Sequence, residues 1–296
     1  MKPRDLADLL LLAALWGGSF LFMRHAAPAF GAVPLMWLRV VIASACLLPL
    51  LLARRQGGEL RARAGVMAVM GLSNSALPFV LIAWATLSIT AGLAAILNAT
   101  TPIFTAVVAA LWLRERLTPP RLVGLLLGLA GVVVLAADQA DFKPGGSGWA
   151  LLASLCAALS YGFAANYARR HTVGVPALVS ATGSQVAAAA VLTPFALWLW
   201  PATLPGAAAW GSALALGVGC TALAYLLYFR LLARVGPARA VTVTYLVPLF
   251  ATVWGALLLD EVFTLRMALG GAVVLAGTAL ATGVWPRRKE PTSTPQ

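Results

Sequence analysis

Charged residues are scarce in this chain of 296 residues, since Asp, Glu, Lys and Arg make up 10% of it, against about 25% in soluble domains. Hydrophobic residues make up 61%. A chain with so few charged groups cannot cover the surface of a water-soluble globule. The composition therefore excludes an ordinary soluble protein and indicates a protein that sits in a membrane.

Residues that commonly perform catalysis or bind metals are also scarce. The chain has two histidines, His25 and His171, and three cysteines, Cys46, Cys156 and Cys220. The sequence has no H-E-x-x-H motif or other metal-ligand spacing, and a serine-based dyad would lack a histidine at the centre of the membrane. We therefore predict that the protein is not an enzyme and has no metal, cofactor or disulfide, and that its cysteines are small packing residues.

Long apolar runs recur from end to end of the sequence. A hydrocarbon core about 30 Å thick is crossed by about 20 helical residues, and the runs are close to this length. We predict an all-α membrane protein with ten transmembrane helices. Their ranges are 6–24, 34–53, 64–84, 91–113, 121–137, 148–168, 176–199, 207–229, 238–259 and 267–285. The polar residues 287–296 are predicted to form a disordered tail.

The net charge of +12 is spread over several loops, which argues against a nucleic-acid partner. If the N-terminus is cytoplasmic, seventeen Lys and Arg residues fall on the inner side and three on the outer side: Arg24, Lys143 and Arg266. This positive-inside bias predicts that both termini are cytoplasmic. Alternatively, residues 1–29 form a cleaved secretory signal. The apolar run is longer than the roughly 7–15 residues of a signal core, which disfavours that alternative.

One stretch of the sequence occurs twice. A shift of 146 residues aligns 102–131 with 248–277, and twelve of the thirty positions are identical, where about three are expected by chance. Pro102 aligns with Pro248, and Glu115 aligns with Glu261. We predict two copies of one unit, residues 1–137 and 148–286, joined by a periplasmic linker at 138–147.

Each predicted copy holds five spans. Because five is an odd number, the second copy enters the membrane with the opposite orientation, and the copies become inverted-topology repeats. Such repeats are typical of secondary transporters, whose substrate site lies near the membrane midplane between the repeats. The repeat thus predicts a transporter that works by alternating access.

The ten-span plan, the doubled P-(x)12-E-x-x-T element and the segment Trp16–Phe20 (WGGSF) resemble a known family. They are similar to the drug/metabolite transporter superfamily, and within it to bacterial ten-span exporters with two EamA-type domains, such as the YddG-type amino acid exporters. The resemblance covers about residues 5–285. It implies a multi-pass protein of the bacterial inner membrane that exports amino acids or related metabolites. It also implies that Glu115 and Glu261 cap or fix loops.

Three prolines inside the predicted spans mark candidate substrate contacts. Proline has no N–H, so the carbonyl four residues earlier loses its helical partner, and a substrate ammonium can donate to that carbonyl. The prolines and the residues whose carbonyls they free are Pro78 with Asn74, Pro102 with Asn98, and Pro248 with Thr244. The alternative is a simple kink, in which a neighbouring Ser or Thr satisfies the carbonyl.

Aromatic residues within the spans form a second group of candidates. An aromatic wall can stack on a planar substrate or attract a cation, and a buried tyrosine hydroxyl needs a partner. The candidates are Trp16, Trp84, Tyr161, Tyr225 and Tyr245. The alternatives are ordinary packing or, for Trp84, a place in the aromatic belt at the membrane interface.

Away from the ends of the predicted spans, charge is limited to Arg39. This residue either snorkels to the outer headgroups or offers a charge at the outer mouth to a substrate carboxylate. All nine acidic residues fall at termini or in loops. Proton-coupled transporters usually place a carboxylate inside the membrane, so we predict a facilitator without a buried proton-coupling carboxylate, or weak coupling through a group other than a buried acid.

Glycines recur at close spacing in the fifth span, at Gly124, Gly128 and Gly131, and in the tenth, at Gly270, Gly271 and Gly277. Small residues at such spacings let helices approach closely. We predict that these two spans serve packing or dimer formation rather than line a cavity. Whether the protein is a monomer or a dimer stays open.

Together these patterns favour a secondary transporter that exports amino acids or related small metabolites. Its cavity is predicted to be lined by the first, third, fourth, sixth, eighth and ninth spans. The expected partners are a small-molecule substrate and the lipid bilayer. A multidrug or organic-cation exporter is the alternative, which the lack of a membrane carboxylate disfavours.

Overall fold

A computed structural model describes residues 1–137, 141–143 and 146–282. All regular structure in these ranges is helical. They contain nine helices that are long and apolar enough to cross a membrane, and Val243–Leu259 is a shorter apolar helix. Three predicted parts lie outside the described residues. They are the tail at 287–296, the last residues of the tenth span and second repeat, and residues 138–140 and 144–145 of the linker.

The helices follow the predicted order of spans. In the first half of the chain they are α1 (Pro3–Phe30), α2 (Ala32–Ala53), α3 (Gly57–Ala62), α4 (Ala64–Gly71), the π-helix π1 (Leu72–Ala76), α5 (Leu77–Ala85), α6 (Ala91–Asn98), α7 (Thr101–Trp112) and α8 (Pro119–Ala136). In the second half they are α9 (Gly148–His171), α10 (Ala177–Trp198), α11 (Ala207–Leu214), the π-helix π2 (Ala215–Leu223), α12 (Ala224–Val235), α13 (Pro237–Ala240), α14 (Val243–Leu259) and α15 (Leu265–Thr282).

Several predicted boundaries are wrong by a few residues. The first helix begins at Pro3 and continues to Phe30, although the prediction ended it at residue 24. Arg24 resembles the end of an apolar run, but its charge is satisfied beside Glu261, at 3.8 Å, so the helix does not have to stop there. The eighth span likewise extends beyond residue 229 to Val235, where Gly236 ends it with a φ of 78°.

The fourth and ninth spans are interrupted rather than continuous. The fourth consists of α6 and α7, with Pro102 in the first turn of α7, where a missing N–H costs no helical hydrogen bond. The ninth consists of α13 and α14, and Pro248 lies inside α14. Broken helices of this kind are common where transporters bind their substrates.

Short connections join successive spans, so neighbouring spans run in opposite directions. We call the end of the bundle that holds the start of α1 the terminal face, and the other end the opposite face. At the terminal face, Asp8 of α1 pairs with Arg230 of α12, with an oxygen–nitrogen distance of 2.6 Å. This pair ties the start of the first half of the chain to the second half.

Glycines allow the tightest contacts between the two halves. A Cβ on Gly124 of α8 would lie 2.6 Å from the carbonyl oxygen of Gly277 in α15, and a Cβ on Gly131 would lie 2.9 Å from that of Gly270. The predicted packing role of these glycines is therefore confirmed. Since 124 corresponds to 270 and 131 to 277 at the shift of 146, the two contacts are counterparts of each other.

A second pair of contacts recurs in the same way. Gly17 of α1 packs against Phe250 and Ala251 of α14, and Gly162 of α9 packs against Phe104 and Thr105 of α7. The sequence shift that relates these two contacts is 145 residues for the glycines and 146 for their partners. Each half of the chain thus supplies the glycine of one contact and the partner residues of the other.

Candidate substrate site

Two π-helical segments lie at corresponding positions in the two halves. The shift of 146 places π1 (Leu72–Ala76) on residues 218–222, within π2 (Ala215–Leu223). A π-turn bonds each carbonyl to the amide five residues later, and such turns are frequent at functional sites. In π2 the Thr221 hydroxyl donates to the Leu216 carbonyl, five residues earlier, at 2.8 Å. Both widened turns lie in the middle of their spans, where hydroxyl and amide side chains cluster.

Arg39 of α2 lies against these segments. Its side chain is buried, with 5% exposure, and its Nε donates to the Thr221 hydroxyl at 2.9 Å. Its Nη1 lies 3.9 Å from the sulfur of Met23, and its guanidinium carbon lies 3.7 Å from the centre of the Phe79 ring. The snorkelling alternative is therefore wrong, because Arg39 lies two helical turns past the start of α2 and is enclosed by neighbouring spans.

The positive charge of Arg39 has no neutralising partner within the described ranges. Thr221, Met23 and Phe79 are all neutral, and no Asp or Glu described by the structure pairs with Arg39. A buried ion without a counter-ion is strongly destabilising, and intramembrane charges commonly mark substrate or ion pathways. The arrangement supplies half of an ion pair, and an anionic group would complete it.

Three predicted candidates join Arg39. Tyr161 of α9 and Tyr225 of α12 lie close enough to interact electrostatically with the guanidinium. The Tyr225 hydroxyl accepts a hydrogen bond from the Asn74 amide of π1 at 3.2 Å. We call Arg39, Asn74, Tyr161, Thr221 and Tyr225 the Arg39 cluster. It combines a cation with hydroxyl and amide groups, and both halves of the chain contribute to it.

Asn98 and Pro102 lie in the interrupted fourth span. The carbonyl of Asn98 accepts a hydrogen bond from the Thr101 hydroxyl at 2.7 Å, as the kink alternative predicts. The side-chain oxygen Oδ1 of Asn98, however, is buried without a hydrogen-bond partner. The free acceptor at this position is therefore the side chain and not the carbonyl.

The candidates of the ninth span face a different neighbour. The Thr244 hydroxyl donates to the Val241 carbonyl at 2.8 Å, and the Tyr245 hydroxyl lies 2.8 Å from the Thr282 hydroxyl of α15. Pro248 is buried inside α14. Tyr245 therefore has its partner in the tenth span.

The remaining candidates are dispersed. The Trp16 ring lies 5.5 Å from the ring of Tyr228, and Pro78 begins α5 directly after π1. Trp84 is 45% exposed, which fits the aromatic-belt alternative. Eleven candidates on six spans thus do not converge on one point, and those that meet do so at the Arg39 cluster.

Sequence reasoning missed the contribution of Ser75 and Thr221, whereas it predicts an interhelical hydrogen bond for Gln185. Gln185 of α10 donates to the Ser75 hydroxyl of π1 at 2.9 Å, while its Oε1 is buried without a partner. A lone Gln in an apolar run signals an interhelical hydrogen bond, which the structure confirms. Ser75 and Thr221 had no comparable signal, since hydroxyl residues usually bond to their own helix.

A groove of about 610 Å³ opens elsewhere, at the terminal face. It is bounded by α3 and α4 on one side and α10 on the other. Among its lining residues are Leu60, Met67 and Val186, and the candidate residues are not among them. The groove is therefore separate from the Arg39 cluster.

The two acidic residues of the doubled motif lie in the loops that follow α7 and α14. Glu261 accepts a hydrogen bond from the Ala91 amide at the start of α6, at 2.8 Å, so its predicted capping role is confirmed. Glu115 pairs with Arg169, with an oxygen–nitrogen distance of 2.6 Å. Both therefore fix loops to neighbouring helices.

The surface of the bundle defines the class of the protein. Large apolar side chains such as Leu111, Leu126 and Val133 are exposed, by 79%, 61% and 67% respectively. An apolar surface on a bundle of membrane-length helices is suited to lipid and not to water. The protein is a multi-pass helical membrane protein.

Comparison with known proteins gives its family. The chain belongs to the EamA-like transporter family, whose model matches residues 7–137 and 148–283. It is 29% identical to a probable terminal-alkyne amino-acid exporter of Streptantibioticus cattleyicolor, over 97% of this chain and 96% of that one.

Two further comparisons agree. The chain is 26% identical to the uncharacterized transporter YdfC of Bacillus subtilis, over 90% of this chain and 87% of that one. A solved crystal structure of another protein shares the fold, with a TM-score of 0.66 and 21% identity, over 97% of this chain and 100% of that chain. The match to the family model confirms the predicted resemblance to EamA-type transporters.

Proposed function

We propose that the protein is a secondary transporter that exports amino acids or related small metabolites by alternating access. The observation that carries the proposal is the buried guanidinium of Arg39, which has only neutral partners among the described residues. Guanidinium binds carboxylate in a bidentate geometry. The α-carboxylate of an amino acid is the ligand that would neutralise it.

The rest of the Arg39 cluster suits the other end of an amino acid. The hydroxyls of Tyr161 and Tyr225 and the side-chain oxygen of Asn74 can accept hydrogen bonds from an ammonium group. Because the carboxylate and ammonium of an amino acid are separated by one carbon, both need polar partners within one small site. The name of the relative from Streptantibioticus cattleyicolor, a probable amino-acid exporter, supports the same substrate class.

Alternating access follows from the recurrence of contacts in the two halves. We infer that residues 1–137 and 148–286 are inverted repeats, related by a pseudo-twofold axis in the membrane plane. The paired contacts of Gly17 with α14 and Gly162 with α7 support this, as does the correspondence of π1 and π2. In such a protein, exchanging the conformations of the two halves converts one open state into the other.

The membrane is proposed to be the bacterial inner membrane, with both termini cytoplasmic. The distribution of Lys and Arg supports this orientation. The terminal face is then the cytoplasmic side and the opposite face is the periplasmic side. Coupling to protons through a buried carboxylate is not expected, since the described acidic residues lie at helix ends or in loops.

A multidrug or organic-cation exporter is the competing function. The aromatic residues of the Arg39 cluster would suit a cation, but the guanidinium of Arg39 would repel one. The sign of the charge at the site therefore favours a substrate with a carboxylate.

The proposal is tested by counterflow in proteoliposomes of purified protein. Radiolabelled amino acids, the corresponding amino acid amides, nucleosides and cationic dyes are compared. We expect counterflow of amino acids and a preference for an amino acid over its amide of about tenfold or more, since an amide lacks the charge that pairs with Arg39. Arg39→Gln should remove that preference, while Arg39→Lys keeps part of it.

Arg54→Gln is the matched control, because Arg54 caps the other end of the same helix and is exposed. It should leave the preference unchanged. Counterflow of dyes without amino acids would overturn the proposed substrate class. An Arg39→Gln protein that still prefers the amino acid to its amide would remove Arg39 from the site.

A further inference from the structure

Two ion pairs occupy corresponding positions in the repeats. Arg24 lies 3.8 Å from Glu261 at the opposite face, and Arg169 lies 2.6 Å from Glu115 at the other end of the bundle. The shift of 145 relates Arg24 to Arg169, and the shift of 146 relates Glu115 to Glu261. Each arginine belongs to the first span of its repeat, and each glutamate follows the fourth span of the other repeat.

The loops that carry the two glutamates have the same backbone. Arg114 and Asp260, which precede them, are both left-handed, with φ of 54° and 53°. The amide of Glu115 bonds to the carbonyl of Ala109 at 3.2 Å, and the amide of Glu261 bonds to that of Gly255 at 3.1 Å. Any difference between the two glutamates therefore comes from their side chains and surroundings.

The side chains do differ. The Glu261 carboxylate reaches across to α6, where it accepts from the Ala91 amide at 2.8 Å and from the Gly92 amide at 3.5 Å. These amides belong to the first turn of a helix, where N–H groups lack helical partners and negative charge is favoured. The Glu261 side chain is 11% exposed. This contact holds α6 of the first repeat against α14 of the second.

Glu115 makes no such contact among the described residues. Its hydrogen bond is to Arg169, and the two side chains are 40% and 55% exposed. An exposed ion pair contributes little to stability. The Glu261 carboxylate at the opposite face is thus largely enclosed at a helix end, whereas the corresponding carboxylate at the terminal face is exposed.

Two substitutions between the repeats account for the difference. The counterpart of Ala91 is Pro237, which has no N–H to donate to Glu115. The counterpart of Gly255 is Ala109. A Cβ on Gly255 would lie 2.4 Å from the Glu261 carboxylate oxygen, so the carboxylate of Glu261 occupies space that a side chain fills in the first repeat.

We propose that Glu261 is a latch that closes the opposite face, and that Glu115 cannot form the equivalent latch at the terminal face. The two closed states of the transporter then differ in stability. The state closed at the opposite face has a charge-assisted helix cap that the other state lacks, so the empty protein rests with the opposite face closed. The inference rests on the proposed alternating access, but the latch itself is tested without a substrate.

The test is a distance measurement between spin labels across the opposite face. Labels are attached at Ser88→Cys, in the loop before α6, and at Phe263→Cys, in the loop after α14, with the three native cysteines replaced by Ala. We expect one short distance in the parent protein. Glu261→Ala should add a longer distance and shift the closed-to-open ratio by about tenfold, the factor that corresponds to a hydrogen bond to a charged group.

Gly255→Ala is a second variant that keeps every charge and leaves the native helix ends in place. The three atoms nearest to its new Cβ all belong to the Glu261 side chain, and the closest is a carboxylate oxygen at 2.4 Å, so we expect the protein to keep its fold while the carboxylate is displaced. It should add the same longer distance. Glu115→Ala is the matched control and should leave the distance distribution as in the parent.

An unchanged distribution in Glu261→Ala or in Gly255→Ala would overturn the latch. If Glu115→Ala changed the distance distribution as much as Glu261→Ala does, the proposed difference between the two glutamates would be overturned. Because no substrate is added, a protein that fails to transport amino acids but responds in this way would refute the proposed substrate and leave the latch standing.

Discussion

Replacing Gly17 by Ala should destabilise the bundle, whereas replacing its neighbour Gly18 should not. Both residues lie in α1, and Ala stabilises a helix by about 1 kcal/mol relative to Gly. A Cβ on Gly17 would lie 2.6 Å from Phe250 Cβ and 2.8 Å from the Ala251 nitrogen, while the nearest atom to a Cβ on Gly18 is 3.7 Å away. The pair therefore differs in packing and not in helix propensity.

The magnitude follows from these distances. Ordinary contact begins at 3.4 Å, so α1 and α14 would have to separate by about 0.6–0.8 Å. A gap of about 0.5–1 Å forfeits a quarter to a half of each dispersion contact, and overpacking costs about 1–3 kcal/mol. Since the propensity gain cancels, Gly17→Ala should be less stable than Gly18→Ala by about 1–3 kcal/mol, or about 2–6 °C in Tm.

Thermal unfolding of the detergent-solubilised variants, followed by tryptophan fluorescence, measures this difference. Gly162→Ala should behave as Gly17→Ala does, because a Cβ there would lie 2.8 Å from the Thr105 nitrogen of α7. Equal Tm values for Gly17→Ala and Gly18→Ala would refute the close contact between α1 and α14.

Three further outcomes are expected. Tyr245→Phe should lower the free energy of unfolding by about 0.6–1.7 kcal/mol, because the hydroxyl contacts Thr282. It should leave the concentration for half-maximal amino acid counterflow unchanged, and a weaker apparent affinity would place Tyr245 in the substrate site. Thr278→Val should lower the free energy of unfolding, measured by thermal unfolding, by a similar amount, because the Thr278 hydroxyl donates to the Ala99 carbonyl at the break between α6 and α7. Ser44→Ala should lower it less, because the Ser44 hydroxyl bonds within its own helix. A pH gradient across proteoliposomes should drive no uphill accumulation of substrate, and such accumulation would refute the prediction of a facilitator.

The order of the spans could be predicted because the bilayer restricts it. A helix must be about 20 residues long to cross the hydrocarbon core, so apolar run length alone placed the third span at 64–84, and the structure has Ala64–Ala85. The ends of α1 were misjudged because Arg24 looked like a boundary. Its partner Glu261 lies 237 positions along the chain, and run length carries no information about such partners.

The candidate site was only partly predictable for a similar reason. The proline rule identifies the carbonyl that loses an amide, but it does not identify the group that takes the place of that amide. For Asn98 this group is the Thr101 hydroxyl. The π-turns that bring Asn74 and Thr221 towards Arg39 have no compositional signature. The burial of Arg39 depends on neighbours from α1, α5 and π2. These residues are far apart in the sequence and meet only when the spans pack together.

The contact between α8 and α15 has a consequence for the biosynthesis of the protein. The glycines of α8, at 124 and 131, rest on those of α15, at 277 and 270, and about 130 residues must be translated after α8 before α15 emerges. During that time α8 is in the membrane without its partner. The contact between α8 and α15 therefore cannot form before the second half is translated, and the two halves, although related in sequence, complete their packing together at the end of translation.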